Sequence, residues 1–432
     1  MTTRAQASPT ATWIAATVLV GLVAGLGGMG LGLLLHFIQH HAYGYSLHSL
    51  VGTETFLDGV SAATPERRFL ILALCGFVAG VGWWAIHRFG RPLVSIAKAV
   101  NGGQRMPFVS TVAHDLLQIA TVALGSPLGR EVAPRELGAL LAGMVSRRFG
   151  LTMPEQRILT ACGAGAGLAA VYNVPLGGAL FTLEVLLTTF DLTALLPALA
   201  TSVIAAVVAW VGLGNQVPYE LPRLSVSSSL IAWSIVAGPI LGIAAHYFIE
   251  MTQSATKSSP KDWRQIPWSI ATFASIGIIA MKFPQLLGNG KGIGYLAFNS
   301  DLTLTLACIL LLLRLLVILA SLRAGAAGGL LTPGLTLGCL IAVILGVVWA
   351  SFWPGVPAGA FAIVGGAAFL ASSMKMPLTA IALAMEFTHV DNSFLVPIAF
   401  AVVGSVLVSQ YLGGRARTPF AGSTTSEHGE AV

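Results

Sequence analysis

Residues 125–134 read GSPLGREVAP, which sets Arg130 and Glu131 side by side in a glycine- and proline-punctuated stretch. Two kinds of chemistry fit such a pair. The two side chains can form a local salt bridge at an interface. Alternatively, a carboxylate set in so apolar a chain is costly and has a partner or a function of its own. Three further acids sit in patterned surroundings. Glu184 ends NVPLGGALFTLE, Glu386 ends KMPLTAIALAME, and Asp115 follows His114 just ahead of an apolar run. Glu184 and Glu386 are read as buried, hydrogen-bonded struts in preference to proton relays. His114 with Asp115 can mimic a relay, but a satisfied interface contact is the expectation. No GxSxG, HExxH or clustered His/Asp metal set occurs, so an intramembrane enzyme, the remotest alternative, has no nucleophile or metal centre to rest on. The expectation is a non-enzyme with no cofactor and no metal.

The elements that must position these residues follow from composition. Of 432 residues 55% are hydrophobic and only 9% charged, with a mean hydropathy of +0.82, so the chain is a polytopic membrane protein. Apolar runs long enough to cross or enter a bilayer cover 13–36, 69–86, 192–213, 230–249, 302–322, 330–352 and 394–412. The segments 93–100, 116–124, 177–187 and 290–298 are shorter or broken, and the 49 glycines let backbone turn and helices approach at membrane depth. The first run is too long for a secretory signal and is read as a retained span.

The net charge of +6 is scattered at segment ends, which makes it a topology signal and argues against nucleic acid as a partner. His87, Arg88, Arg91, Lys98 and Arg105 mark a cytoplasmic side, so residues 1–10 lie inside and the 41–68 loop outside. Cys75, Cys162, Cys308 and Cys339 lie in apolar runs without CxxC spacing and read as core thiols. Residues 415–432 are expected to be a short cytoplasmic tail without CBS domains. Both termini then face the cytoplasm of a cell (plasma or inner) membrane.

An internal repeat organises the chain. Pro175 precedes Glu184 by the same nine residues that separate Pro377 from Glu386, at an offset of 202, which Gly163 and Gly365 share. Gly129 precedes Pro134 by five residues, as Gly328 precedes Pro333. Two membrane repeats over 11–215 and 228–414, joined by a 216–227 linker, are the expected domains. Spacing leaves parallel and inverted arrangements open. Interrupted helices at matching places in two halves point to a transporter-type site near the midplane. The glycine-rich entries GSPLGREVAPRELGALLAG and RAGAAGGLLTPGLTLG would face each other there, two helix N-termini able to hold a partly dehydrated anion without a full positive charge.

Gly129-Arg130-Glu131, Gly329-Leu330-Leu331-Thr332-Pro333, GAGAGLAAVYNVPLGGALFTLE and FAIVGGAAFLASSMKMPLTAIALAMEFT together resemble the CLC family of chloride channels and chloride/proton exchangers, from about residue 70 to 415. Arg314, fifteen residues before Gly329, keeps a family-like spacing. The resemblance implies an all-α membrane fold of two inverted repeats with many tilted, partial-depth helices. It also implies a homodimer with one anion pathway per subunit. Glu131 would be the external gate, and the anion site would draw on Gly129, Arg130, Val132, Gly329, Leu330 and Leu331. The family's serine ligand falls at Ser95 or, in another register, at Val94. Its inner tyrosine falls at Thr418, with Phe420 nearby. The family's internal proton-passing glutamate falls at Val185, which cannot carry a proton. The expected function is therefore passive or weakly proton-coupled transport of chloride or a similar small anion, with strict anion/proton exchange as the alternative.

Overall fold

The computed structural model describes residues 9–44, 54–215 and 217–414. The chain is all-α. The first half holds α1 (Thr10–Tyr43), α2 (Phe56–Ala62), α3 (Pro65–Phe89), α4 (Ile96–Gly102), α5 (Phe108–Ala123), α6 (Val132–Arg148), α7 (Met153–Tyr172), α8 (Pro175–Phe181) and α9 (Leu192–Leu213). A single π-helical turn, Thr182–Leu187, extends α8. The second half holds α10 (Ser228–Lys257), α11 (Gln265–Lys282), α12 (Lys291–Phe298), α13 (Leu304–Arg323), α14 (Leu331–Ala350), α15 (Ala358–Ser373), α16 (Pro377–Thr388) and α17 (Leu395–Leu412).

Among the described residues seven helices are long and apolar enough to cross a membrane, and each covers one of the seven apolar runs of the sequence. α1 is the longest at 34 residues, about 51 Å of helix. That exceeds a hydrocarbon core of about 30 Å, so α1 is tilted or projects beyond it. Two elements differ from the sequence expectation. α11 falls outside the runs because Gln265, Ser269 and Ser275 dilute it. α5 starts at Phe108, well before the 116–124 segment, because its first turns carry Ser110, Thr111, His114 and Asp115 on a face that the protein buries. Polarity concealed the helix from a hydropathy reading.

The packing repeats with the sequence. α1 lies on α9 as α10 lies on α17, and α6 on α7 as α14 on α15. Across the halves α3 meets its counterpart α11 and α8 meets α16, so the two inverted repeats interlock over much of their length. At Gly76 and Gly80 a side chain would strike the backbone of Ser269, Ile270 and Ile266, which is why α3 and α11 can touch main chain to main chain. One continuous apolar cluster joins both halves.

Candidate anion site between two helix N-termini

The turns that open α6 and α14 pair with each other. Gly129 N donates to Gly329 O at 2.7 Å and Gly329 N donates to Gly129 O at 2.8 Å, an isolated antiparallel bridge between the glycine-rich helix entries of the two repeats. Arg314, fully buried on α13, fastens this junction from below. Its guanidinium donates to Leu286 O and Gly288 O ahead of α12 and to Pro127 O ahead of α6, at 2.8–2.9 Å. The buried cation thus joins the turns of the two halves.

Glu131 lies on the junction and is fully buried. One carboxylate oxygen, Oε1, accepts from Leu331 N at 2.6 Å, the first free N–H of α14. The other, Oε2, accepts from the Tyr172 hydroxyl at 3.3 Å, which also lies 3.0 Å from Thr332 Oγ1. The carboxylate thus rests on a helix N-terminus, a place whose free N–H groups suit negative charge in general. A Cβ at Gly129 or Gly329 would strike the Glu131 carboxyl group, so the two glycines leave room for that side chain in its present seat. Arg135, one turn into α6, donates from Nε to the Glu131 carbonyl at 3.1 Å and lies over the Phe181 ring.

Arg130 does not pair with Glu131. Its guanidinium lies over the Tyr172 ring, 5.1 Å from the centroid, and its Nε is buried without a hydrogen-bond partner. Lys291 and His36 lie within its electrostatic reach, and Lys291 is exposed, so cationic groups gather on the Arg130 side of the junction.

The other sequence candidates are distributed as follows. Leu330 caps α14 and Val132 is the first residue of α6, half-buried. Ser95 caps its own short helix, its Oγ accepting from Lys98 N at 3.3 Å, and no hydrogen bond among the described residues joins it to Glu131. Val94 packs against the core. Thr418 and Phe420 lie outside the described residues. Val185 sits in the π-helical turn against the core, with no group that could hold a proton.

Glu184 and Glu386 form the other junction of the repeats. Glu184 accepts from Leu378 N at 2.9 Å and from Thr379 N and Oγ1 at 2.8 and 2.6 Å. Glu386 accepts from Leu176 N at 2.8 Å and Gly177 N at 2.7 Å. Each caps the helix start of the opposite repeat. Both are half-buried, less than the sequence expectation, because α8 and α16 begin near the surface of the monomer. His114 and Asp115 depart further from expectation: Glu136 joins them, and Asp115 is not a satisfied contact.

Sequence reasoning missed Tyr172, Thr332, Arg135 and Lys291. Tyr172 stood within a quoted motif, one residue before Asn173, but nothing in local spacing shows that its hydroxyl crosses to Glu131.

A family model described as Voltage gated chloride channel matches residues 75–410. The chain belongs to this family. Among CLC relatives, it is 26% identical to the "H(+)/Cl(-) exchange transporter ClcA" of Yersinia pseudotuberculosis serotype IB, over 92% of this chain and 84% of the relative. It is also 26% identical to the "Voltage-gated ClC-type chloride channel ClcB" of Citrobacter koseri, over 82% of this chain and 87% of the relative. In structure it is similar to a CLC described as a slow cyanobacterial Cl−/H+ antiporter, with a TM-score of 0.81 at 21% identity, covering 94% of this chain and 96% of that one. The CLC fold, with inverted repeats and partial-depth helices, is the fold of this chain.

Proposed function

We propose that the protein moves chloride or a similar small anion across the membrane in exchange for protons, with Glu131 as the gate. The observation that carries this reading is the Glu131 carboxylate on the Leu331 N–H at the start of α14. An anion must displace it to use that donor, and protonation abolishes its competition, so anion and proton act on the same atoms. ClcA, similar over most of its length, is named an exchanger, which favours exchange over the passive reading that Val185 had suggested. Passive conduction is the second reading, supported by Val185 itself and by ClcB, which is named a channel.

In this reading Arg130, Lys291 and His36 gather anions at the outer mouth. Arg88, Arg91, Lys98, Arg105, Arg147, Arg148 and Arg157 gather at the opposite end of the bundle, which faces the cytoplasm by the positive-inside rule, as do both termini in a cell membrane. A homodimer with one pathway per subunit belongs to the same reading. The test is chloride efflux from proteoliposomes at clamped potential with external pH recorded. Exchange predicts proton movement in fixed proportion to chloride, able to drive it uphill. Chloride efflux without proton movement would establish the passive reading.

A further inference from the structure

Exchange needs a route for protons to Glu131, and Val185 closes the expected one. α5 offers another. Ser110, Thr111, His114, Asp115, Gln118 and Thr121 recur at helical spacing, form one face of the helix, and are all buried, none more than 8% exposed. A polar stripe turned inward at membrane depth is costly and calls for partners or a function.

The partners are incomplete. Thr111 Oγ1, both Asp115 carboxyl oxygens and Gln118 Oε1 are buried with no hydrogen-bond donor. Asp115 is 1% exposed. It faces Glu136 of α6, and with His114 the three offer nitrogen and oxygen atoms within 4.8 Å of one another. His114 Nδ1 lies 3.0 Å from Glu136 Oε2 and 2.9 Å from Gln118 Nε2. The group placed to bond Asp115 is thus another carboxyl, and two carboxyls bond only with a proton between them. Two carboxyls this close, one of them buried, do not readily both ionise.

The stripe also runs between the right places. At its lower end Ser110 Oγ accepts from the backbone N of Arg91, an exposed loop residue at the basic end of the molecule. At its upper end Thr121 O accepts from Ser126 N, in the turn that carries Gly129 and Glu131. The span from Ser110 to Thr121 is about 16 Å of helix. Glu136 is five residues beyond Glu131 on α6, about 7.5 Å of rise, a gap that water or a swing of the Glu131 carboxylate must bridge. The other titratable groups around the cluster are Arg135 on α6, which interacts with both Glu131 and Glu136, His87 on α3, and Tyr172 on α7, which faces Arg135. His36 and His40 on α1 face the Arg130 mouth instead.

We propose that the His114–Asp115–Glu136 cluster holds a proton in transit and that the buried polar face of α5 conducts protons between the basic end and Glu131, in place of an acidic side chain at Val185. This rests on the exchange reading. Each transfer breaks one O–H or N–H bond and forms another at the next group, with no electron moved and no co-reactant. His114 can take a proton on one ring nitrogen and release one from the other.

The experiment compares wild type with Asp115→Asn and Glu136→Gln in chloride-loaded proteoliposomes, recording chloride and proton flux together with the reversal potential. The expected result is loss of proton flux with chloride flux retained, and a reversal potential that moves to the chloride equilibrium value. Wild-type coupling that survives in both folded variants overturns the inference and leaves exchange standing. Wild type that moves no protons overturns exchange and the inference with it. Infrared spectra of wild type supply an independent readout that needs no variant to fold: a protonated buried carboxyl is expected, and its absence overturns the proposal.

Discussion

Two of the places where the repeats meet set a carboxylate on a helix N-terminus across the pseudo-two-fold. At α8 and α16 the arrangement is symmetric. Glu184 and Glu386 each take two backbone N–H groups of the opposite repeat, so both helix starts are closed. At α6 and α14 it is one-sided. Glu131 reaches α14, while the second repeat places Leu330 and Leu331 at the matching positions and returns no carboxylate. The carboxylate there takes one backbone N–H and one hydroxyl where each strut takes two backbone N–H groups. In the proposed reading, broken symmetry separates a gate from a strut: the symmetric caps complete the fold, whereas the lone carboxylate would hold a place that an anion can contest.

Five substitutions sharpen or break that contrast, in descending order of effect. Glu131→Ala should abolish the pH dependence of anion flux and leave an open pathway, measured as efflux across a pH series; unchanged pH dependence would remove Glu131 from the gate. Gly329→Ala drives a methyl group into the Glu131 carboxyl and should suppress gated flux. Combining it with Glu131→Ala should not recover flux, because the methyl group still projects into the place the carboxylate had held on Leu331 N–H, and full flux in the double variant would contradict the geometry. Glu184→Gln with Glu386→Gln should cost about 1.5–3 kcal/mol per site, read as a lower melting temperature, while anion flux per folded protein persists. If that double variant instead lost gating, the distinction between strut and gate would fail. Tyr172→Phe removes one donor from the charged, docked form of Glu131, worth about 0.5–1.5 kcal/mol. The docked carboxylate should therefore be displaced more easily, read as greater anion flux at a given pH than in wild type.

Much of this architecture was legible from the chain alone. The seven apolar runs are the seven longest apolar helices, since hydropathy over about twenty residues is a local property. The 202-residue offset found Glu184 and Glu386 because duplication preserves spacing. α5 was misjudged because its polar residues face inward, which a hydropathy reading cannot distinguish from facing water. Glu136 went unnoticed for a related reason. It lies 21 residues from Asp115, and only the packing of α5 on α6 makes the two neighbours.

The sequence by itself determined that this is a duplicated membrane protein of the CLC family, with glycine-rich helix starts and a glutamate at one of them. It did so because bilayer insertion, helix entry and glycine spacing are written in contiguous residues. Only the tertiary structure decided which N–H Glu131 accepts, that Tyr172 steadies it, that Arg130 turns to a ring instead of a carboxylate, and that α5 buries a chain of unpaired oxygens. Those are contacts between segments up to 200 residues apart, and their energies depend on distances that the order of residues does not contain.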